Sequence, residues 1–195
     1  MKAILLSGGM DSTALAFMGK PRLAININYG QLAAKAERAA STAIAEALKI
    51  PLQLIDIDCS SLGSGDLVAS KAHTIAPVSE WWPYRNQLLI TLAAMRAVTM
   101  GAKVLLIGTV MTDKTHKDGT AEFIAAMDNI LCLQEGGLRL SAPAKDMTTL
   151  ELIAESRVPD SLLAWTHSCH TGNYPCGSCN GCNKHFFIKE KLEMI

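Results

Sequence analysis

The sequence predicts a doubly wound α/β domain with a mainly parallel sheet, ending in a metal-binding segment. Three observations carry that prediction. Short apolar segments alternate with longer amphipathic ones, a Ser-Gly-Gly loop follows the first of the apolar runs, and four cysteines crowd between positions 169 and 182. Short apolar strands alternating with helices are the pattern of a parallel sheet covered on both faces.

Residues 2–6 (KAILL) read as a buried strand that stops at Ser7-Gly8-Gly9. Asp11 or Ser12 is the expected cap of the helix that follows, through about Met18. Pro21 precedes 22–29 (RLAININY), whose apolar and polar positions alternate as in a second strand. Residues 32–49 are alanine-rich with an amphipathic period, hence helix. Pro51 introduces 52–58 (LQLIDID), a third strand by the same alternation, and a polar stretch with Gly63, Gly65 and Pro77 reads as a long loop. Residues 86–100 form a helix stopped at Gly101, and 103–107 (KVLLI) a fourth buried strand ending at Gly108-Thr109. Beyond a polar loop, 120–134 is helical, and 146–156 is the last regular helix expected, capped by Thr148 or Asp146.

The 195 residues suit one compact domain, and 1–195 is expected to be a single unit. Lys+Arg and Asp+Glu are both 18, so no global basic field draws the chain to nucleic acid or to a membrane surface. A net charge of +0 gives little colloidal repulsion and leaves room for self-association. No segment reaches the ~18 apolar residues of a membrane span. Lys2 is followed by only four apolar residues before Ser-Gly-Gly, which is not a secretory pattern, and a cytoplasmic location is expected. In a reducing compartment clustered cysteines point to metal rather than to disulfides.

Ligands of such sheets bind beyond the strand C-termini. The candidate positions are therefore Ser7–Ser12, Tyr29–Gln31, Asp58–Ser61 and Gly108–Thr109. Gly8 and Gly9 let backbone N–H groups approach an anion, and the helix N-terminus after them adds partial positive charge. Asp11 would repel a bare phosphate, so its expected role is to hold Mg²⁺ against the phosphate oxygens, with Ser7 and Ser12 adding hydroxyls. The loop holds no lysine and is not the GxxxxGK(S/T) type. The plain alternative is a glycine turn with Asp and Ser as a helix cap.

Cys169, Cys176, Cys179 and Cys182 supply four thiolates, enough to close a tetrahedral Zn²⁺ site, with Gly177 and Gly181 relaxing the backbone between them. An iron–sulfur cluster uses the same ligand set. His167, His170 and His185 flank the cysteines as substitute ligands, or as surface or phosphate-contacting residues. Cys59 and Cys132 read as buried small side chains, Cys59 being also a candidate pocket residue because it follows a strand end.

The string LSGGMDS directly after the first strand is similar to the pyrophosphate loop of the N-type ATP pyrophosphatases (the PP-loop superfamily), which cleave ATP between the α- and β-phosphates. Further matches are Tyr29-Gly30-Gln31, Pro83-Tyr84-Arg85-Asn86, Gly108-Thr109, Pro143-x-Lys145, Thr166-His167-Ser168-Cys169 and CGSCNGC. Together they resemble the QueC family of 7-cyano-7-deazaguanine (preQ0) synthases over essentially the whole chain. The resemblance implies an adenine nucleotide alpha hydrolase-like fold, a structural zinc in segment 166–186, ATP with Mg²⁺, and a homodimer. It also implies a chemistry: ATP adenylates 7-carboxy-7-deazaguanine, ammonia gives the amide, and a second adenylation gives the nitrile.

On the matching positions Ser7, Gly8, Gly9, Met10 and Ser12 would hold phosphates, and Asp11 the Mg²⁺. Tyr29, Gln31, Asn86, Gly108 and Thr109 would complete the nucleotide site. Arg85 is a candidate clamp on a phosphate or a substrate carboxylate, or else a surface ion pair. Lys145 would neutralise the leaving pyrophosphate or be merely solvated. Asp113 and Asp118 are the candidate substrate residues, Asp118 accepting from the N–H edge of a guanine-like base.

The chain departs from the family after the fourth strand, where members carry a motif like DxSGYPDCR. Here 112–120 reads TDKTHKDGT, one residue shorter; Asp113, Asp118 and Phe123 can be matched, but Ser-Gly-Tyr-Pro and Cys-Arg cannot. An Asn expected soon after Gly108 is absent, with Val110 near its place. QueC-like enzymes of antiviral (CBASS-type) operons, which join a deazaguanine to a protein amine, are the alternative this suggests, with a protein as second substrate. Two other classes remain: a tRNA-thiolation-type PP-loop enzyme, which needs a basic RNA-binding surface, and a nucleotide-binding scaffold without catalysis.

Overall fold

The computed structural model describes residues 1–112 and 116–193. Along them run β1 (Lys2–Leu5), α1 (Met10–Gly19), β2 (Leu23–Asn28), α2 (Ala34–Leu48), β3 (Leu52–Asp56) and α3 (Arg85–Thr99). There follow β4 (Val104–Leu106), α4 (Ala121–Cys132), β5 (Arg139–Ser141), α5 (Thr149–Ser156), α6 (Asp160–Leu163) and α7 (Asn180–Glu193). The strands lie in the order β3-β2-β1-β4-β5, and every neighbouring pair is parallel.

Alternation along the strands divides the core into two layers. Ala3, Ile25 and Leu105 face α3 and α4, whereas Ile4, Ala24 and Leu106 face α1, α2, α5, α6 and α7. The fold is thus doubly wound, as expected. The chain runs outward from β1 through β2 to β3, then crosses back to β4 on the other side of β1. A crevice opens where such a reversal occurs, beyond the strand C-termini. Among the described residues no helix is long and apolar enough to cross a membrane.

Several local expectations are corrected. The helix at 146–156 is not the last, because α6 and α7 follow it. It begins at Thr149, where Thr148 and Glu151 form a reciprocal capping box, so Asp146 has no part in the cap. Helix α1 begins at Met10 with Gly9 as its N-cap and no side-chain cap, so Asp11 and Ser12 lie inside the first turn. The extended backbone of Gly9 (φ −81°, ψ 166°) turns its carbonyl into the helix, where the Ser12 and Thr13 hydroxyls both donate to it. Strand β5 is too short to announce itself by alternation. Its register comes from β4, and the Asp128 carboxylate of α4 holds it by accepting from Arg139 and from the Leu140 N–H.

Candidate active site and metal centre

A cleft of about 570 Å³ lies beyond the β1 and β4 ends, at the reversal point of the sheet. Ser7, Gly9, Asp11, Ser12, Gly108 and Thr109 line its inner end. The sequence forces this approach: a Cβ on Gly108 would stand 3.0 Å from both Cα and N of Ser12, so only glycine lets the end of β4 lie against the first turn of α1. Gly8, at φ +86°, sits equally close to α2, where an added Cβ would meet the Glu37 carbonyl at 2.8 Å. The Leu6 carbonyl at the base of the loop accepts from the Asn26 amide (3.0 Å) and the Ser41 hydroxyl (2.9 Å), which fixes β1 to β2 and α2. Ser7 and Ser12 hydroxyls bond each other at 3.1 Å.

Asp11 has two different oxygens. Oδ2 is paired with Lys184 Nζ at 2.9 Å, while Oδ1 is buried with no hydrogen-bond partner among the described residues. An orphaned carboxylate oxygen is costly unless something fills its lone pairs. It therefore fits a divalent cation beside the loop.

Tyr29, Glu37 and Arg85 form one wall of the cleft. Burial pushes the Tyr29 hydroxyl far above its ordinary range, against the opposing pull of the Arg85 guanidinium. Burial likewise raises the Glu37 carboxyl, which Gln31 Nε2 (donating at 2.7 Å) and Arg85 partly offset. Arg85, in the first turn of α3, lines the cleft close enough to Tyr29 and Glu37 for its charge to act on both. Gln31 takes another place than expected. It is buried, accepts the Tyr29 N–H at 2.9 Å and donates to Glu37, so it braces the turn after β2 and does not line the cleft.

Five further residues lie outside the cleft lining. The Met10 side chain is in the core under α1, and Gly8 packs behind the loop, so neither lines the cleft. Lys145 is exposed beside Asp146 at 4.0 Å and also lies outside it. The Asp118 carboxylate accepts the Asn86 N–H at 2.9 Å, and its carbonyl accepts Asn86 Nδ2 at 3.0 Å. Tyr84 caps α3 in left-handed geometry without a side-chain bond, so Asp118 supplies the missing acceptor from a distant loop. Asp113 lies outside the described residues. Cys59 is buried in the α3-side core and does not reach the cleft.

Glu80, His170, Asn180 and Lys184 also line the cleft, and of these only His170 is singled out by the sequence. Both Glu80 oxygens accept from Asn180 Nδ2, at 3.1 and 3.0 Å. Burial lowers the His170 imidazole, with nearby Glu80 acting in the opposite sense. No local motif marks these positions, because a loop residue and the start of α7 meet only in the folded chain.

The four cysteine sulfurs all lie within 4.8 Å of one another, with Cys176–Cys182 at 3.9 Å and Cys169–Cys179 at 4.0 Å. Thiolates about 2.3 Å from one tetrahedral ion stand roughly 3.8 Å apart, so the set fits a single metal ion. A multi-iron cluster distributes its thiolates over several metal atoms and needs a wider set. The Thr171 hydroxyl, with Ser178 and the Cys179 N–H, lowers the Cys176 thiol to about 5, while burial pushes the Cys182 thiol up. His167 and His185 are not ligands: His167 Nε2 bonds the Gly172 carbonyl and His185 Nδ1 bonds Ser168. The segment is tied to the Ser7–Ser12 loop directly, since the His167 N–H donates to the Gly8 carbonyl at 2.9 Å.

Comparison with known proteins gives a consistent answer. The family described as "Queuosine biosynthesis protein QueC" matches residues 2–186. A 7-cyano-7-deazaguanine synthase of Caldicellulosiruptor bescii is 32% identical over 204 residues, covering 97% of this chain and 92% of that protein. One from Methanocaldococcus jannaschii is 29% identical over 227 residues, covering 99% and 97%. Among solved structures, U34-tRNA thiolase NcsA from Methanococcus maripaludis with its 4Fe-4S cluster aligns with a TM-score of 0.53 at 15% identity. That alignment covers 99% of this chain but 65% of the thiolase, and the likeness is one of fold.

Proposed function

The chain belongs to the QueC family of queuosine biosynthesis proteins, and on that premise we propose that it is an ATP-dependent ligase making 7-cyano-7-deazaguanine from 7-carboxy-7-deazaguanine and ammonia. The observation that carries this is the inner end of the cleft. A glycine loop and a helix N-terminus meet there beside an Asp11 oxygen without a partner.

Ser7, Gly9 and Ser12 hold the β- and γ-phosphates, and Asp11 would hold Mg²⁺. When bound, Mg²⁺ neutralises the phosphate oxygens and makes pyrophosphate a better leaving group. Arg85 stands where two anions must meet, the substrate carboxylate and the α-phosphate, and its fork offsets their repulsion. A carboxylate oxygen then attacks the α-phosphorus and the bond to pyrophosphate breaks. Ammonia attacks the carbonyl carbon of the adenylate, AMP departs with the former carboxylate oxygen, and a proton is lost to give the amide. The amide oxygen attacks a second ATP in the same way. Loss of AMP and two protons in all leaves the nitrile. Adenylation is needed twice because neither oxygen leaves unaided.

Cys169, Cys176, Cys179 and Cys182 would hold Zn²⁺ with all four thiolates, and an ion so held would have a structural role, fastening segment 166–186 within one catalytic domain spanning 1–195.

The test is a reaction of the purified chain with ATP, 7-carboxy-7-deazaguanine and ammonium, followed by mass spectrometry. Formation of the nitrile with two AMP per nitrile is expected, abolished in Asp11→Ala. AMP release no greater than that of Asp11→Ala would refute the enzyme assignment. AMP release with the base attached to a protein amine, and no nitrile, would transfer the chain to the conjugating class.

A further inference from the structure

The phosphate loop has an unbalanced charge. A triphosphate enters Ser7–Ser12, yet the one charged side chain there is the carboxylate of Asp11, and no lysine lies in the loop. Lys145, the cation expected from the sequence, is exposed beside Asp146 outside the cleft.

We propose that Lys184, carried by α7 two residues beyond the metal-ligating Cys182, is the pyrophosphate-binding lysine of this site. Its Nζ lies 2.9 Å from Asp11 Oδ2, and both residues line the cleft beside Ser7, Gly9 and Ser12. The ammonium is therefore within one side-chain swing of any phosphate seated on the loop. Its side chain is 39% exposed, so it keeps room to move, while the Asp11 side chain is 19% exposed and fixed in the first turn of α1. With the nucleotide absent, Lys184 neutralises Asp11. With Mg²⁺ on Asp11, the like charges separate and the ammonium turns to the β- and γ-phosphate oxygens.

The placement has a reason in the fold. Among the described residues, links join the C-terminal segment to the Ser7–Ser12 loop and the cleft: His167 N–H to Gly8, Asn180 to Glu80, and Lys184 to Asp11. Cys182, in the first turn of α7, fixes the helix on which Lys184 rides. The cysteine centre thereby supplies the phosphate site with a cation that the N-terminal loop lacks.

This inference rests on reading Ser7–Ser12 as a pyrophosphate loop, and its test separates the two. Pyrophosphate, α,β-methylene-ATP and AMP, each with Mg²⁺, are titrated calorimetrically into wild type, Lys184→Met and Lys184→Arg. Bound metal and Tm are measured for each protein. Lys184→Met is expected to weaken pyrophosphate and the ATP analogue about 10- to 100-fold, the loss typical of one charge-assisted hydrogen bond. AMP, which lacks the leaving phosphates, should change less than about twofold, and Lys184→Arg should recover most of the loss. Undiminished or tighter pyrophosphate binding by Lys184→Met overturns the proposal. So does an equal loss of AMP and pyrophosphate, or a loss of metal, since either makes Lys184 a structural residue. A wild-type protein that binds neither pyrophosphate nor the ATP analogue would instead refute the loop itself.

Discussion

Asp118 offers a sharp contrast between two roles that predict different variants. The sequence suggests a carboxylate reading the N–H edge of the base, whereas the structure uses it to cap α3 through Asn86 N–H at 2.9 Å. A capping bond to the second helical residue contributes about 0.5–2 kcal/mol, and asparagine serves nearly as well as aspartate. Asp118→Ala removes the acceptor and leaves that N–H unmatched beside a left-handed Tyr84 that has no side-chain bond of its own. In a chain of this size each kcal/mol shifts Tm by roughly 2–4 °C, so a fall of about 1–8 °C is expected. Asp118→Asn keeps the acceptor and loses only charge at the helix N-terminus, which is worth about 0.3–1 kcal/mol. Its Tm should stay within about 4 °C of wild type, with base affinity unchanged. Arg85 begins the same helix, so Asp118→Ala should also weaken the carboxylated base a few-fold. Thermal unfolding and base titration decide the matter. If Asp118→Asn loses base affinity as fully as Asp118→Ala while both keep their Tm, the capping account is wrong.

Two further outcomes follow from named contacts. Gly108→Ala places a methyl 3.0 Å from Ser12 N and Cα, and backbone cannot rotate aside. An overpacking cost of about 1–3 kcal/mol with weaker ATP-analogue binding is expected, and unchanged Tm and affinity would contradict the close approach. Asp128 is held below the ordinary carboxylate range by hydrogen bonding from Arg139, helped by the Leu140 N–H. A depressed folded value means stability present above the unfolded value and lost as pH falls through the folded one. Asp128→Asn should thus be less stable than wild type at pH 5–7, with the gap narrowing below about 3.9. Chemical denaturation across pH checks this, and a pH-independent gap would remove the Asp128–Arg139 pair as its source.

Elements whose signals are local can be read directly from the chain. The alternation of 22–29 and 52–58, the glycines at 8, 9 and 108, and the cysteine spacing of 169–182 each report a constraint within a few residues of chain. Strand count failed at β5, whose three residues draw their register from β4, and helix count failed at α7, whose opening turn was read as metal ligands alone. The cleft was legible on one wall only. Ser7–Ser12 and Gly108 declare themselves by motif, and Arg85 by its place before Asn86. Glu80, Asn180 and Lys184 carry no motif, whereas Asp118 and Lys145 lie in motif-like segments but outside the cleft lining. Which carboxylate caps a helix, and which lysine meets the phosphate loop, depends on contacts between residues 32 and 173 positions apart. Such pairings are fixed by how the sheet and its helices pack, which in this chain sets α7, carrying Cys182 and Lys184, beside the Ser7–Ser12 loop.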